Sequence, residues 1–174
     1  MIEKITLAGG CFWCTEAIFK RLKGVSSVIP GYSGGKKENP TYEDVSMGNT
    51  SYAEAVQIEF DSQILPLEKL LQVFFTLHDP TTLNRQGADV GTQYRSAIFY
   101  HTENQKQMAE KIIQALQPRF SDKIVTEVIP YSNFYKAEEN HMDYYATHSN
   151  QPYCKLVIDP KIKKLYKEFK EEIK

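Results

Sequence analysis

The chain has 174 residues, of which 41% are hydrophobic and 25% charged, and a net charge of −1, which is typical of one folded globular domain. The balanced charge excludes the overall positive field that draws a protein to nucleic acid or to an anionic bilayer. No apolar run approaches the roughly 18 residues of a membrane span, and no basic leader precedes the first strand pattern. We therefore expect a cytoplasmic protein with no membrane partner. We also expect a monomer.

A strand, a tight turn and a helix open the chain. Residues 3–8 alternate apolar and polar side chains, and Gly9-Gly10 interrupt the alternation. Apolar residues then recur at helical spacing from Cys11 to Lys23, and Gly24 stands where helices commonly end. This arrangement places Cys11 at the turn that begins the helix.

The next elements complete a βαββαβ order. We predict strands over residues 25–32, 53–60 and 94–100, a helix that begins at Pro66, and a loop over residues 33–49. This order is that of a ferredoxin-like two-layer sandwich of the α+β class, in which helices cover one face of a sheet.

Additional helices and loops follow this core. The predictions are a helix to about Leu116 behind a capping box of Thr102 and Gln105, a strand over residues 124–129, and a terminal helix from Asp159-Pro160. We predict a single domain over residues 1–174, with a core from about 3 to 145 and a C-terminal segment, 146–174, that carries Cys154.

Cys11 and Cys14 form the first candidate site. A thiol is a nucleophile only as its thiolate, which a helix N-terminus stabilises through free N–H groups and the positive end of the helix dipole. Cys14 lies one turn along the same helix face, within reach of a disulfide. An isolated cysteine is more often a buried hydrophobe, but the coincidence of turn, helix start and second cysteine favours redox chemistry.

Glu54 is the second candidate. It shares its strand parity with Val56, Ile58 and Phe60, so it points toward the apolar face. Desolvation there would raise the pKa of its carboxyl and keep a proton available near neutral pH, as a general acid requires. The sequence leaves open, with equal weight, that Glu54 turns out to solvent.

Six segments follow one another in the order of a known family. They are GGCFWCTEAIF at 9–19, GYSGG at 31–35, NPTYEDV at 39–45, YAEAV at 52–56, HDPTTLNRQGADVGTQYRSAI at 78–98 and FYKAEENHMDYY at 134–145. Together they closely resemble methionine sulfoxide reductase A, over most of residues 5–145. The family commonly has Gly where this chain has Cys14, and His where it has Tyr52.

The resemblance implies thiol-dependent reduction of methionine S-sulfoxide, free or in oxidised proteins and peptides, with neither metal nor organic cofactor. The implied roles are Cys11 as nucleophile, Glu54 as proton donor, Tyr42 and Tyr94 as ligands of the sulfoxide oxygen, Asp89 in the supporting polar network, Phe12 and Trp13 around the substrate methyl group, and His141 behind these residues. The domain is then catalytic, and thioredoxin is the implied reductant.

The resolving thiol is the open point. Oxygen transfer leaves a sulfenic acid on Cys11, which a second thiol condenses to a disulfide. Cys154 matches a recycling cysteine that many family members carry on a flexible tail segment, whereas Cys14 is nearer in sequence but needs local rearrangement. We favour a relay in which Cys14 attacks first and Cys154 then exchanges onto it over direct attack by Cys154 on the sulfenic acid.

Two other functions fit parts of the pattern. A general dithiol-disulfide oxidoreductase would use Cys11 and Cys14 without any carboxylate acid. A zinc-stabilised binding module would use the three cysteines and one of His78, His101, His141 or His148, although no second close ligand pair exists.

Overall fold

The computed structural model describes residues 1–174 and contains eight strands and six α-helices. The strands are β1 Ile2–Gly9, β2 Val25–Ser33, β3 Ala53–Asp61, β4 Arg85–Gln86, β5 Asp89–Val90, β6 Ser96–Tyr100, β7 Glu127–Pro130 and β8 Tyr135–Lys136. The helices are α1 Phe12–Phe19, α2 Tyr42–Ser46, α3 Leu67–Leu77, α4 Glu103–Leu116, α5 Tyr144–Thr147 and α6 Asp159–Glu168. None of them is both long and apolar enough to cross a membrane.

Six strands form one mixed sheet in the order β7-β6-β1-β3-β2-β8, and β4 and β5 form a separate hairpin. β6 and β7 run parallel, and every other neighbouring pair is antiparallel. β1 lies between β3 and β6, so its end at Gly9 delivers the following turn to the middle of the sheet. The fold is therefore a mixed α/β arrangement around a central β1.

The two faces of the sheet differ in the size of their side chains. On β3, Val56, Ile58 and Phe60 belong to a cluster of 34 buried residues that includes side chains of α1, α3, α4 and α6. Ala53 and Ala55 face the other way, into a cluster of five buried residues. Burying a side chain such as Phe60 contributes about 1.5–3 kcal/mol to stability, so the helix-covered face supplies most of the hydrophobic stabilisation.

The predicted strands over 25–32 and 53–60 are confirmed, each with one more residue at its end. The predicted helix 11–23 is shorter, because the chain after Phe19 turns at Gly24 (φ 87°) and Leu22 bridges to Ile173 near the C-terminus. The strand predicted at 124–129 begins later, at Glu127, and pairs in parallel with β6.

The loop over 33–49 contains α2, which the sequence analysis leaves as irregular structure. Thr41 Oγ1 accepts a hydrogen bond from Asp44 N, and the Asp44 carboxylate accepts one from Thr41 N. This reciprocal capping box satisfies two backbone donors in a helix of only five residues. By contrast, only half of the box predicted at Thr102 forms, because the Gln105 side chain accepts from His101 N instead.

The segment around Cys154 is not a flexible tail. Residues Cys154–Ile158 form a π-helical turn that runs directly into α6, and the Cys154 side chain is 0% exposed. Cys154, Ile158, Ile162 and Leu165 all belong to the large core cluster. Because these apolar side chains recur on one side of the turn and helix, they pack together against the domain and hold the segment in place.

Candidate active site

The turn between β1 and α1 positions Cys11. Gly10 has φ 96°, and a Cβ there would lie 2.6 Å from the Cγ of Gln86, so both the backbone conformation and the available space require glycine. Cys11 is the N-cap residue of α1, with extended backbone angles, and its carbonyl accepts a hydrogen bond from Cys14 N at 3.1 Å. The thiol therefore lies at the N-terminal end of a buried helix.

Burial raises the pKa of the Cys11 thiol well above its ordinary value, and the charges of Glu54 and Cys14 add to the increase. The backbone N–H of Trp13 and the hydroxyl of Tyr153 lower it, but they do not compensate. The sequence predicts a thiolate favoured by the helix N-terminus, whereas burial shifts the pKa of this thiol in the opposite direction. Cys11 is only 8% exposed, so the loss of hydration outweighs the helix dipole.

Glu54 lies on the helix-covered face of β3 and is 1% exposed, so the inward of the two orientations is the one observed. Its Oε1 accepts a hydrogen bond from Phe12 N at 3.1 Å, in the first turn of α1. Its Oε2 has no partner within the protein. Burial raises the pKa of this carboxyl to about 8, so it carries a proton at neutral pH.

Two tyrosines and an aspartate complete the cluster around the thiol. Tyr42 begins α2, and Tyr94 ends the 3-10 turn before β6 rather than beginning the strand as predicted. Burial, and then the charge of Glu54, raise the pKa of both phenols, that of Tyr42 to about 12. The charges of Cys11 and Asp89 also raise the pKa of both phenols. The structure thus brings together in one site the five predicted side chains, namely those of Cys11, Glu54, Tyr42, Tyr94 and Asp89.

Tyr153 also reaches this site, and only its place beside Cys154 could have drawn attention to it in the sequence. Its hydroxyl donates to Asp89 Oδ2 at 2.6 Å and lies within hydrogen-bonding reach of the Cys11 thiol. The ring meets Trp13 edge-on, with the centroids 5.8 Å apart. The C-terminal segment therefore covers the thiol with a phenol that also holds the aspartate.

An aromatic stack surrounds Trp13. The Tyr144 ring lies parallel to it at 3.6 Å between centroids, and Trp13 Nε1 donates to His141 Nδ1 at 3.1 Å. Phe12 is 0% exposed and packs against Tyr42 and His141. Trp13 is half-buried beneath the Tyr144 ring, while Phe12 and His141 are buried behind it.

Glu138 is a further residue that sequence reasoning missed. Its Oε1 accepts from the Tyr32 hydroxyl at 3.0 Å and its Oε2 accepts from Tyr42 N at 3.0 Å. One carboxylate thereby joins β2 to the first residue of α2. The sequence holds no signal for this contact, because residues 42 and 138 come together only through the packing of the C-terminal region.

All three cysteines are unpaired and buried. Cys14 interacts electrostatically both with Cys11 and with Cys154, so it lies near each of them. No group of three or more His, Cys, Asp or Glu side chains is arranged to hold a metal ion. The donor set proposed for a structural zinc site is therefore not assembled.

The chain is similar over nearly its whole length to known proteins of one family. A sequence model described as peptide methionine sulfoxide reductase matches residues 3–173. A peptide methionine sulfoxide reductase MsrA of Sulfolobus acidocaldarius is 57% identical over 171 residues, which cover 98% of this chain and 97% of the relative.

Two solved structures of Saccharomyces cerevisiae Mxr1 share the fold. The reduced form aligns with a TM-score of 0.81 at 38% identity and covers 88% of this chain and 89% of that one. The form in complex with Trx2 aligns with a TM-score of 0.58 at 31% identity, covering 82% and 84%. Because these matches extend over nearly the whole chain and include the segments that build the thiol site, the chain belongs to the MsrA family of peptide methionine sulfoxide reductases.

Proposed function

We propose that this enzyme reduces the S-sulfoxide of methionine, free or in oxidised proteins and peptides, with Cys11 as the nucleophile and Glu54 as the proton donor. The observation that carries the proposal is a carboxyl with a pKa of about 8 whose Oε1 accepts from the backbone N–H immediately after the thiol. Reduction of a sulfoxide requires a proton on the leaving oxygen, and a carboxyl in this position can supply it.

In the first step the Cys11 sulfur attacks the sulfoxide and takes its oxygen. The Cys11 sulfur loses two electrons and becomes a sulfenic acid, while the methionine sulfur gains two electrons and leaves as a thioether. Glu54 gives its proton to the sulfoxide oxygen, and the thiol proton of Cys11 restores the carboxyl. The unpartnered Oε2 is suited to holding that proton, since nothing in the protein competes for it.

The Tyr42 and Tyr94 hydroxyls are proposed to hydrogen-bond the same oxygen. Their raised pKa values keep them as phenols, so each can donate to the charge that develops on that oxygen. Asp89 holds Tyr153 beside the thiol. The substrate methyl group would rest against Trp13, with Tyr144 displaced from its face.

Regeneration is proposed to run through Cys14 and then Cys154. Cys14 condenses with the sulfenic acid to form the first disulfide and release water, and Cys154 then exchanges onto it. The position of Cys14 between the other two thiols supports this order. Thioredoxin is proposed as the external dithiol, and the Mxr1 structure in complex with Trx2 supports that choice.

The relay can be tested by single-turnover oxidation of Cys154→Ser with methionine sulfoxide, followed by peptide mapping without reductant. A disulfide between Cys11 and Cys14 is the expected product. Accumulation of free sulfenic acid would instead mean that Cys14 is only a packing residue and would end the relay hypothesis.

We further propose that the chain is one catalytic domain with a ferredoxin-like βαββαβ core, which acts as a cytoplasmic monomer. The order β6-β1-β3-β2, with antiparallel neighbours and helices on one face, supports the description of the core. A cycle through free thiols requires a reducing compartment, which supports the cytoplasm.

The experiment that tests the function is incubation with the separated R and S sulfoxide epimers of a blocked methionine in the presence of dithiothreitol. We expect reduction of the S epimer alone. When the reductant is omitted, up to two equivalents of methionine should form per chain, because the exchange of Cys154 onto Cys14 frees the Cys11 thiol for a second sulfoxide. Equal reduction of both epimers, or activity that persists in Cys11→Ser, would refute the assignment.

A further inference from the structure

Behind the catalytic thiol, Cys14 shares a narrow crevice with a lysine of the terminal helix. The residues that line the crevice include Cys14, His78 and Lys161 together with apolar side chains of α1 and α3 such as Phe19 and Phe74. Lys161 lies in the first turn of α6, is half-buried, and also lines a wider groove of about 660 Å³ at the surface. Lys161 therefore lines both the crevice that holds Cys14 and the groove at the surface.

Lys161 has no carboxylate partner, whereas its neighbour Lys164 pairs with Glu168 on the same helix. A half-buried lysine without a carboxylate partner forgoes the Coulombic stabilisation of an ion pair, which is a cost in free energy. The group that could compensate this cost is the one that shares the crevice, Cys14, once it ionises.

The other titratable groups near Cys14 cannot supply a positive charge. His78, at the end of α3, is neutral at neutral pH because burial lowers its pKa to about 4. Asp89 of the β5 hairpin and Cys154 of the π-helical turn both raise the pKa of Cys14, and Cys11 is a thiol on the same helix. Lys161 is the single cation that faces this sulfur.

We propose that Lys161 is a positioning residue for the resolving step, in which its ammonium stabilises the thiolate of Cys14 while that thiolate attacks the oxidised Cys11. The inference rests on the proposed function, since it requires Cys14 to be a resolving thiol. Burial raises the pKa of Cys14 to about 11, and Lys161 is the strongest charge that opposes the increase. Lys161 thus offsets part of the cost of ionising the buried Cys14 thiol.

Cys14 loses its proton and its sulfur attacks the sulfur of the Cys11 sulfenic acid, forming the S–S bond and breaking the S–O bond. The oxygen leaves as water after it takes up one proton, so each sulfur ends in the disulfide and no external oxidant is needed.

The test uses Cys154→Ser as background, in which Cys14 is the only second thiol. Methionine formation and disulfide formation are measured separately in a single turnover between pH 6 and 9, for Lys161→Met, Lys161→Arg and the control Lys163→Met. Lys163 carries the same charge on the same helix but is exposed. A rise of about one unit in the Cys14 pKa lowers the thiolate fraction about tenfold, and the greater nucleophilicity of a more basic thiolate recovers about threefold of this.

We therefore expect Lys161→Met to slow disulfide formation about threefold to tenfold, by the same factor at every pH in this range, because the pKa of Cys14 lies above the range. Methionine formation should be unchanged, Lys161→Arg should restore most of the rate, and Lys163→Met should match the background. The inference is overturned if Lys161→Met matches the background, if Lys161→Arg is as slow as Lys161→Met, or if no disulfide forms in the background protein. Failure of the background protein to form methionine would refute the proposed function itself.

Discussion

Replacing Glu54 by Gln isolates the proposed acid with little structural change. The amide is nearly the same size, and its oxygen can still accept the hydrogen bond that Phe12 N gives to the carboxyl. The variant loses the acidic proton, so we expect single-turnover methionine formation to slow by about 10² to 10⁴, the usual contribution of a general acid.

The pH dependence makes this prediction sharper. With a pKa of about 8, Glu54 is mostly protonated below that pH and loses its proton above it. Below pH 8 the Glu54 carboxyl is neutral and Cys11 ionises alike in both proteins, so the ratio of wild-type to variant rate constants should be constant there. Above pH 8 the ratio should fall by at least about tenfold per unit, because the carboxyl has lost its proton and its charge also disfavours the Cys11 thiolate. Quenched-flow measurement of methionine between pH 6 and 10 gives this ratio directly.

The free energy of unfolding should fall as the pH rises, because of the raised pKa of Glu54. Burial raises the pKa of Glu54 in the folded state from an ordinary 4.5 to about 8, so its stabilising contribution is complete below pH 4.5 and declines as the pH rises toward 8. Relative to Glu54→Gln, the free energy of unfolding of the wild type should fall by about 1.4 kcal/mol per pH unit across that window. Urea unfolding of both proteins at several pH values measures the slope.

A variant rate within a few-fold of wild type would mean that the tyrosine hydroxyls suffice, and Glu54 would lose its role. A rate ratio that does not change between pH 7 and 10, together with a flat stability difference, would show that the carboxyl does not titrate near 8. Either result would refute the reasoning from burial.

Four further substitutions test the rest of the site. Cys11→Ser should abolish methionine formation while circular dichroism remains native, because no other nucleophile faces the substrate. Trp13→Ala should raise KM by removing the apolar contact, and a KM equal to that of wild type would contradict this. Tyr94→Phe should lower kcat about tenfold through one lost hydrogen bond to developing charge, measured at saturating sulfoxide. Tyr153→Phe removes the hydroxyl that donates to Asp89 and that lowers the pKa of Cys11, so this pKa should rise further. Alkylation of Cys11 by iodoacetamide at pH 8 should then be slower. Unchanged alkylation would count against the contact between Tyr153 and Cys11.

Much of the site could be predicted because its signals are local. The alternation of apolar residues on β3 indicates that Glu54 faces the core, and Gly10 marks the turn that delivers Cys11. α2 was missed although its capping box is visible in the letters TYED, since five residues are too few to show helical periodicity.

Other features depend on contacts between distant parts of the chain. The bond from Tyr153 to Asp89 spans 64 positions and that from Tyr42 to Glu138 spans 96, and neither residue type is unusual in its own segment. The high pKa of Cys11 has the same origin. A helix N-terminus can be located from sequence, but the burial that outweighs it depends on aromatic side chains contributed by α5 and by the residues before α6.

In the proposed relay, the π-helical turn around Cys154 determines when the enzyme can be recycled. Since that sulfur is completely buried, an external dithiol can attack it only in molecules whose residues 154–158 have opened locally, a fluctuation that does not require the domain to unfold. In the proposed relay the observed rate of reduction is therefore lowered in proportion to the opened fraction. A substitution that stabilises this turn should slow steady-state turnover while leaving a single turnover unchanged, and hydrogen exchange of these amides would report the same opening equilibrium.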